Sequence, residues 1–285
     1  MQVKDTIFYK KKTINCGGKV INFDTPKIMA IVNITPDSFY KNSRYNEADQ
    51  IKNRLEECLK EGADFIDIGA YSSRPGANDI SVEEELTRLD MAMNIFRKVN
   101  FPLPVSIDTF RAKVAEKMLS EYQVDIINDI SGGEIEPEIL EVISSYRVPY
   151  ILMHMKGIPV NMQNNPEYDD VFKEVMSFFA YKIDYLYKKG IHDVILDPGF
   201  GFGKTLDNNY ELLKYLQDFK SMGCPMMVGI SRKSMIFRLL MNKPEESLNG
   251  STALHMAALM KGADILRVHD VKEARQVISL FEAMH

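Results

Sequence analysis

The chain has few of the features that stabilise small exported or metal-binding domains. Its three cysteines, Cys16, Cys58 and Cys224, are far apart in sequence, form no CxxC pair and have no histidine at metal-ligand spacing. We therefore expect neither a disulfide framework nor a structural zinc site, and the reducing cytoplasm is the expected location.

Long apolar runs are also missing from the sequence. The longest ones are far shorter than the roughly 18 residues that a membrane span requires. Residues 1–18 contain several lysines but no continuous apolar stretch. The sequence therefore predicts neither a membrane segment nor a signal peptide.

An excess of positive charge is absent as well. The 35 basic and 40 acidic side chains leave a formal net charge of −5, which argues against a nucleic-acid partner. Net charge says nothing about one pocket, so a local anion site stays possible. With 285 residues, 45% of them apolar, the chain has ample material for the core of an ordinary globular enzyme.

One alternation runs through most of the chain. Stretches with helical periodicity, such as 48–61, 82–99 and 210–222, separate eight runs rich in Ile, Val, Leu and Met. These eight runs are 28–32, 65–69, 104–108, 124–129, 149–154, 193–197, 225–230 and 264–268. Gly62 and Gly262 follow helical stretches and lead directly into apolar runs, which is typical of a helix stop before a strand. Eight strands alternating with helices predict a (β/α)8 TIM barrel.

The sequence also predicts a hairpin before the barrel and a single domain. Two short runs at 6–9 and 19–23 flank a Cys-Gly-Gly turn and predict an N-terminal β-hairpin, which forms an extension over residues 1–25. No linker divides the sequence, so 1–285 is predicted to be a single domain. The competing fold is an open doubly wound sheet, which normally has a glycine motif after its first strand. Residues 32–37 contain no glycine, and this favours the barrel.

A glycine-rich segment at 197–205 resembles a nucleotide-binding loop at first sight. Its spacing does not fit, because Pro198 stands where a P-loop requires glycine and the GxGxxG pattern is not completed either. The glycines could form a simple flexible loop. Alternatively, they could let the backbone approach a ligand while Phe200 or Phe202 covers a flat ring.

Polar residues end three of the predicted strands. They are Asp108, Asn128 and Asp197. Each could be a helix N-cap when taken alone, but all three would lie at the C-terminal face of the barrel, where active sites of this fold form. Two carboxylates and an amide suit a ring with several N–H groups and would stabilise positive charge on it.

Basic residues follow the last two predicted strands. Lys233 lies after the seventh strand, and Arg267 and His269 belong to the eighth. Barrel enzymes often bind phosphate after strands seven and eight, so these residues predict an anion site that Arg74, after the second strand, could join. The alternative is an ordinary solvated surface.

These motifs together resemble the dihydropteroate synthase family, and the likeness extends from Ile28 to Val271. The segments that carry it are 33–39 (NITPDSF), 73–76 (SRPG), 107–109 (IDT), 128–133 (NDISGG), 153–155 (MHM), 197–204 (DPGFGFGK), 231–234 (SRKS) and 267–270 (RVHD). The resemblance implies a homodimeric transferase of folate biosynthesis. Its substrates would be 6-hydroxymethyl-7,8-dihydropterin diphosphate and 4-aminobenzoate, and its products 7,8-dihydropteroate and diphosphate.

The resemblance also implies roles for individual residues. The residues that would bind the pterin are Asp108, Asn128, Met153, Asp197, Phe202 and Lys233. Three of them, Asp108, Asp197 and Lys233, would also be catalytic. The diphosphate would be bound by Arg74, Arg267 and His269, and Asn33 would be a ligand of Mg²⁺. The 4-aminobenzoate pocket would contain Phe39, Ser73, Pro75, Phe202 and Ser231.

By the mechanism that these residues suggest, diphosphate departs first and the neutral aryl amine then attacks a cationic pterin methylene. Some positions depart from the usual family pattern, since Tyr71 stands in place of an acid, Ser73 in place of threonine and Lys156 in place of glutamine. Two other functions stay open. One is a pterin-binding module of the methyltransferase type, and the other is a catalytically inactive paralogue.

Overall fold

The computed structural model describes residues 11, 13–34, 44–72, 79–159, 162 and 166–284. Its strands are β1 (Thr13–Cys16), β2 (Lys19–Asn22), β3 (Lys27–Asn33), β4 (Phe65–Gly69), β5 (Val105–Asp108), β6 (Ile126–Asp129), β7 (Tyr150–Met153), β8 (Val194–Asp197), β9 (Met227–Val228) and β10 (Ile265–Val268). Its α-helices are α1 (Arg44–Glu61), α2 (Val82–Lys98), α3 (Ala112–Tyr122), α4 (Ile139–Tyr146), α5 (Val171–Lys188), α6 (Leu206–Lys214), α7 (Ser234–Phe237), α8 (Leu248–Met260) and α9 (Val271–Glu282).

Strands β3 to β10 form one parallel sheet that closes into a barrel. The order of neighbours is β8-β7-β6-β5-β4-β3-β10-β9. A parallel bridge between Leu196 of β8 and Met226, next to β9, joins the two ends of this order. The predicted TIM barrel is therefore confirmed, and each of the eight predicted apolar runs overlaps one of its strands.

The interior of the barrel is apolar at the N-terminal ends of the strands. Seven side chains that point inward pack there as one layer, together with Ile14, Cys16 and Phe23 of the N-terminal region. The seven are Met29, Phe65, Ile126, Ile151, Ile195, Met227 and Ile265. The hairpin thus covers the bottom of the barrel, while the outward-facing strand residues pack against the helices.

The next inward layer differs sharply in chemistry. Because side chains alternate along a strand, the residue two positions after each member of the apolar layer also points inward. Four of these positions carry hydrogen-bonding groups, and they are Asp67, Asn128, Asp197 and Arg267. The fold therefore gathers polar groups near the C-terminal ends of the strands.

Carboxylates at the starts of three strands hold the barrel in register. Asp64 accepts a hydrogen bond from the backbone N–H of Ile28 at 2.8 Å, Asp125 from that of Val105 at 2.8 Å, and Asp264 from that of Met226 at 2.8 Å. In each case the carboxylate accepts from a backbone N–H at the beginning of the neighbouring strand. Without the carboxylate, that N–H would have no partner in the sheet.

Two local predictions need correction. A hairpin is present, but β1 directly precedes the Gly17-Gly18 turn and pairs with β2 from Cys16↔Lys19 to Thr13↔Asn22. The predicted first strand at 6–9 lies outside the described residues. The predicted helix at 210–222 is split, since α6 ends at Lys214 and a 3₁₀ helix covers Leu216–Met222. The tighter turn places Leu216 and Phe219, both buried, on one face.

Within the described part of the chain, no helix combines the length and apolar character needed to cross a membrane.

Candidate active site

The centre of the polar layer is a partly buried cluster around Arg267. The guanidinium donates from Nε to Oδ2 of Asp67 at 2.7 Å and from Nη2 to Oδ2 of Asp108 at 2.7 Å. Asn128 donates its side-chain N–H to the same Asp67 oxygen at 3.0 Å. Strands β4, β5, β6 and β10 thus each contribute one side chain to a continuous hydrogen-bonded network.

Asp197 and Lys233 approach Arg267 from the other side of the barrel, where Gly229 leaves space. An ideal Cβ on Gly229 would lie 3.9 Å from Asp197 Oδ2, from Lys233 Nζ and from the Arg267 Cβ. The ammonium group of Lys233 lies over the ring of Phe202, 4.5 Å from its centroid, and donates to the Phe200 carbonyl. The sequence-predicted residues Asp108, Asn128, Asp197, Lys233 and Arg267 therefore lie together.

Burial changes the acidity of these groups. It raises the pKa of Asp108 to about 7, although Arg267 acts in the opposite direction. The pKa of Asp197 is also raised by burial, and nearby Lys233 partly offsets this. Burial lowers the pKa of Lys233 to about 8. For Arg267, the carboxylates of Asp67 and Asp108 outweigh the effect of burial and raise its pKa.

Asp108, Asn128 and Asp197 are not helix N-caps, which was the alternative interpretation. The N-cap of α3 is Arg111, that of α4 is Glu138 and that of α6 is Thr205. Asp197 does use Oδ1 to accept the backbone N–H of Gly199 at 2.8 Å. This bond fixes the start of the loop and leaves Oδ2 near Gly229.

Asp67 is the site residue that sequence reasoning missed. It is fully buried and binds two of the predicted site residues. It stands in the middle of the apolar run FIDIG, whereas Asp108 and Asp197 end their strands and Asn128 lies one residue before the end of its strand. Its position could have indicated this role, because a residue two positions after the inward-facing Phe65 also points into the barrel.

Asn33 ends β3 beside this cluster. An ideal Cβ on Gly69 would lie 3.6 Å from Asn33 Oδ1 and 3.6 Å from Asp108 Oδ2, so glycine leaves a space that both oxygens border. Oxygen donors of this kind suit Mg²⁺, which usually keeps several waters and shares its coordination with substrate phosphates. Among the described residues, no three His, Cys, Asp or Glu side chains form a metal-binding group.

Ser231 and His269 meet at the rim of the barrel. The hydroxyl of Ser231 lies 3.2 Å from the His269 Nδ1 and accepts the His269 backbone N–H at 3.2 Å. The adjacent residues reinforce this contact, because Arg232 and Asp270 form a bidentate ion pair at 2.7 and 2.8 Å. The loops after β9 and β10 are therefore joined next to the cluster.

An apolar wall borders the polar layer. Its buried members are Phe110, Ile130 and Met153, and Tyr71, Ile135, Met155 and Phe202 pack on them. Tyr71, which stands where an acid is usual, lies edge-on to Phe110 with ring centroids 5.1 Å apart. The wall brings the predicted pterin residues Met153 and Phe202 into one surface.

The glycine-rich loop after β8 is tightly held by Lys204. Lys204 Nζ donates to the carbonyls of Gly199, Phe202 and His154 at 2.9, 3.0 and 3.1 Å and lies 3.1 Å from His154 Nδ1. Gly199, with φ of +70°, could not carry a side chain, because its Cβ would clash with the His154 carbonyl. These contacts favour a loop with a fixed shape over a simple flexible one. Burial lowers the pKa of His154 to about 2 and that of Lys204 to about 7.

Four predicted binding residues lie outside the described part of the chain. They are Phe39, Ser73, Arg74 and Pro75, and their roles remain predictions. Lys156 is described and contacts Glu174 at 2.9 Å, which ties the segment after β7 to α5.

The chain is similar to known proteins in sequence and in structure. The family model described as "Pterin binding enzyme" matches residues 29–269. The dihydropteroate synthase of Escherichia coli (strain K12) is 41% identical over 268 residues, covering 93% of this chain and 94% of that protein. The structure of Xanthomonas albilineans dihydropteroate synthase with 4-aminobenzoic acid has a TM-score of 0.88 at 35% identity, covering 96% of this chain and 98% of that one. The complex of the Xanthomonas enzyme with 7,8-dihydropteroate has a TM-score of 0.85 at 34% identity, covering 95% and 98%.

Proposed function

This chain belongs to the dihydropteroate synthase family of pterin-binding enzymes, and we propose that it condenses 6-hydroxymethyl-7,8-dihydropterin diphosphate with 4-aminobenzoate. The products are 7,8-dihydropteroate and diphosphate. The observation that carries the proposal is the partly buried arc of Asp108, Asn128, Asp197, Lys233 and Arg267. It offers acceptors for ring N–H groups and cations for an anion in one barrel mouth.

The pterin ring binds in this arc. Asp197 Oδ2 and the Asn128 amide oxygen accept hydrogen bonds from ring N–H groups, and Lys233 donates to a ring acceptor. Met153 and Phe202 of the apolar wall cover the flat face of the ring. A polar edge and an apolar face match a heterocycle with several nitrogen atoms.

Departure of the diphosphate starts the reaction. Arg267 and His269, with Arg74, bind the anion and hold it as the C–O bond breaks. The carbon that remains is a cationic pterin methylene, and the carboxylates of Asp108 and Asp197 stabilise its charge. Because both carboxylates are already fixed by protein hydrogen bonds, they need little reorganisation when the charge develops.

The amine of 4-aminobenzoate then attacks the methylene carbon. The new C–N bond forms from the nitrogen lone pair, and the amine loses a proton to complete 7,8-dihydropteroate. The pocket that orients this substrate is assigned to Ser231 and Phe202, together with Phe39, Ser73 and Pro75, which lie outside the described residues. No covalent bond to the protein is required at any stage.

We assign Mg²⁺ to Asn33. When bound, the ion would neutralise charge on the departing diphosphate. Asn33 would supply its amide oxygen, and the space at Gly69 keeps that oxygen accessible beside Asp108.

A homodimer in the cytoplasm is the proposed working form. Support for self-association comes from large apolar side chains exposed near the C-terminal helices, namely Leu239, Leu240, Met241, Met260 and Leu280. The free thiols of all three cysteines fit a reducing compartment. Sedimentation velocity of the purified protein measures the assembly directly, and a single species with the mass of one chain would contradict the dimer.

One assay tests the proposed reaction. The purified protein is mixed with the pterin diphosphate, 4-aminobenzoate and Mg²⁺, and diphosphate release is followed. We expect release only when the amine is present, together with an equal amount of 7,8-dihydropteroate. Pterin binding without release would favour the methyltransferase-type module, and the absence of both would favour an inactive paralogue.

A further inference from the structure

Asp67 lies in the cluster around Arg267 and has no role in the proposed reaction, although it contacts two residues that do. Its Oδ2 atom accepts from Arg267 Nε at 2.7 Å, lies 2.6 Å from Arg267 Nη2 and accepts from Asn128 Nδ2 at 3.0 Å. Its side chain is completely buried. One carboxylate oxygen thus contacts both Arg267, which is predicted to bind the diphosphate, and Asn128, which is predicted to bind the pterin.

We propose that Asp67 is a positioning residue that determines which hydrogen-bonding atoms of Asn128 and Arg267 face the substrate. The proposal rests on the proposed function, because it assigns a task to Asp67 within that reaction.

For Asn128 the consequence follows from the chemistry of the two groups. An ionised carboxylate has no hydrogen to donate, so the amide must turn its NH₂ group towards Asp67. The amide oxygen is then the atom left for the ligand, and it can only accept. Asp67 thereby makes Asn128 selective for a ring that presents N–H at this point.

For Arg267 the consequence concerns geometry and charge. Nε and Nη2 are bound to Asp67 and Asp108, which leaves Nη1 as the guanidinium nitrogen directed to an anion. Arg267 is also shared between two carboxylates. Without Asp67 it would pair with Asp108 alone, and Asp108 would then stabilise a cationic pterin less well.

A purely structural ion pair explains the surroundings of Asp67 less well. Its second oxygen, Oδ1, is buried and has no hydrogen-bond partner among the described residues, and the same holds for the hydroxyl of Ser106. Asp67 and Ser106 are paired in the register of β4 and β5. Buried polar groups without partners destabilise a protein, so stability alone gives no reason for a carboxylate here.

Two variants separate positioning from charge balance. Asp67→Asn removes the charge and the obligatory acceptor while keeping the size. Asp67→Glu keeps the charge but moves the oxygens by one methylene. Asp264→Asn is the matched control, because Asp264 is also buried but accepts a backbone N–H at the opposite end of the barrel.

The experiment measures kcat and both KM values for each variant, with thermal unfolding of the same samples. We expect kcat/KM for the pterin diphosphate to fall on the order of 10²-fold in Asp67→Asn and at least about tenfold in Asp67→Glu, since small displacements of binding groups have effects of this size. KM for 4-aminobenzoate should change by less than about threefold, because Asn128 is not among the residues assigned to the 4-aminobenzoate pocket.

The results that would overturn the proposal are equally specific. A merely structural role predicts a lower kcat with both KM values unchanged, in proportion to the loss of folded enzyme. If Asp67→Asn fails to fold, Asp67→Glu decides, because wild-type kinetics in that variant would mean that charge alone matters. An inactive wild-type chain would contradict the proposed function instead, whereas an active wild type with unaffected variants contradicts only the role of Asp67.

Discussion

The two ends of the barrel interior are built from the same strands and have opposite chemistry. At the N-terminal ends, inward side chains such as Phe65, Ile126 and Ile265 form an apolar layer that the hairpin covers. Two residues later, the same strands place Asp67, Asn128 and Arg267 in one hydrogen-bonded cluster. The lower layer therefore provides packing energy, and the upper layer places charges in a site that is already organised.

This division has a physical basis in the parallel barrel. Apolar packing at the lower layer fixes the strands, and fixed strands hold the polar side chains at defined distances. The upper layer lies at the face where the loops after the strands meet. Changes at the two layers should consequently affect different properties, stability at one and catalysis at the other.

The largest effect is expected from Phe65→Ala in the apolar layer. Removal of a fully buried phenylalanine leaves a cavity, so the free energy of unfolding should fall by about 3–5 kcal/mol. Urea denaturation measures this change. The kcat/KM of the protein that remains folded should stay close to the wild-type value, and a large loss of activity with unchanged stability would contradict the division between the layers.

Asp197→Asn in the polar layer should have the reverse profile. The substitution keeps size and shape but removes a charge next to the reacting carbon, so kcat should fall on the order of 10²–10³-fold. Steady-state kinetics measures the fall in kcat. Urea denaturation should show little change in the free energy of unfolding. Asp264→Asn, at the other end of the barrel, is the control for a buried Asp→Asn change, and equal activity losses in both variants would refute a catalytic role for Asp197.

A smaller and reversible effect is expected from pH. Asp108, with a pKa of about 7, must be ionised to stabilise a cation, so activity should fall as the pH drops through that value. Lys233, with a pKa of about 8, must be protonated to donate, so activity should also fall as the pH rises through that value. A plot of kcat/KM for the pterin diphosphate against pH should therefore be bell-shaped, with its acidic side set by Asp108 and its basic side by Lys233. A flat profile across both values would show that neither group controls the reaction.

The smallest effect is expected on the outer side of the hairpin. Val20 is 72% exposed, whereas Ile14, on the partner strand, belongs to the apolar layer. Val20→Ala should therefore change the free energy of unfolding by no more than about 0.5 kcal/mol. Thermal unfolding compared with Ile14→Ala measures the contrast, and a larger loss from the Val20 variant would mean that the hairpin packs differently.

Much of this arrangement could be predicted from the sequence, because its causes are local. Apolar runs, helix periodicity and glycine stops are properties of neighbouring residues, and they predicted all eight barrel strands. Asp108 and Asp197 could be recognised because each ends such a run, and Asn128 because it lies one residue before the end of its run. Their position at one face of the barrel then followed from the parallel topology.

The parts that escaped prediction depend on contacts between distant residues. Asp67 and Arg267 are 200 positions apart, and no local pattern shows that they bind one another. The role of Lys204 as the anchor of the glycine-rich loop depends on His154, 50 residues away. The 3₁₀ segment after α6 reflects packing, which overrides weak local preferences.

A crystal structure of this chain with the pterin diphosphate bound would test the position of the binding site most directly. We predict that the pterin ring lies against Asp108, Asn128 and Asp197, with its face on Met153 and its diphosphate at Arg267. A ring bound away from these three residues, or a diphosphate that does not reach Arg267, would contradict this assignment of the binding site.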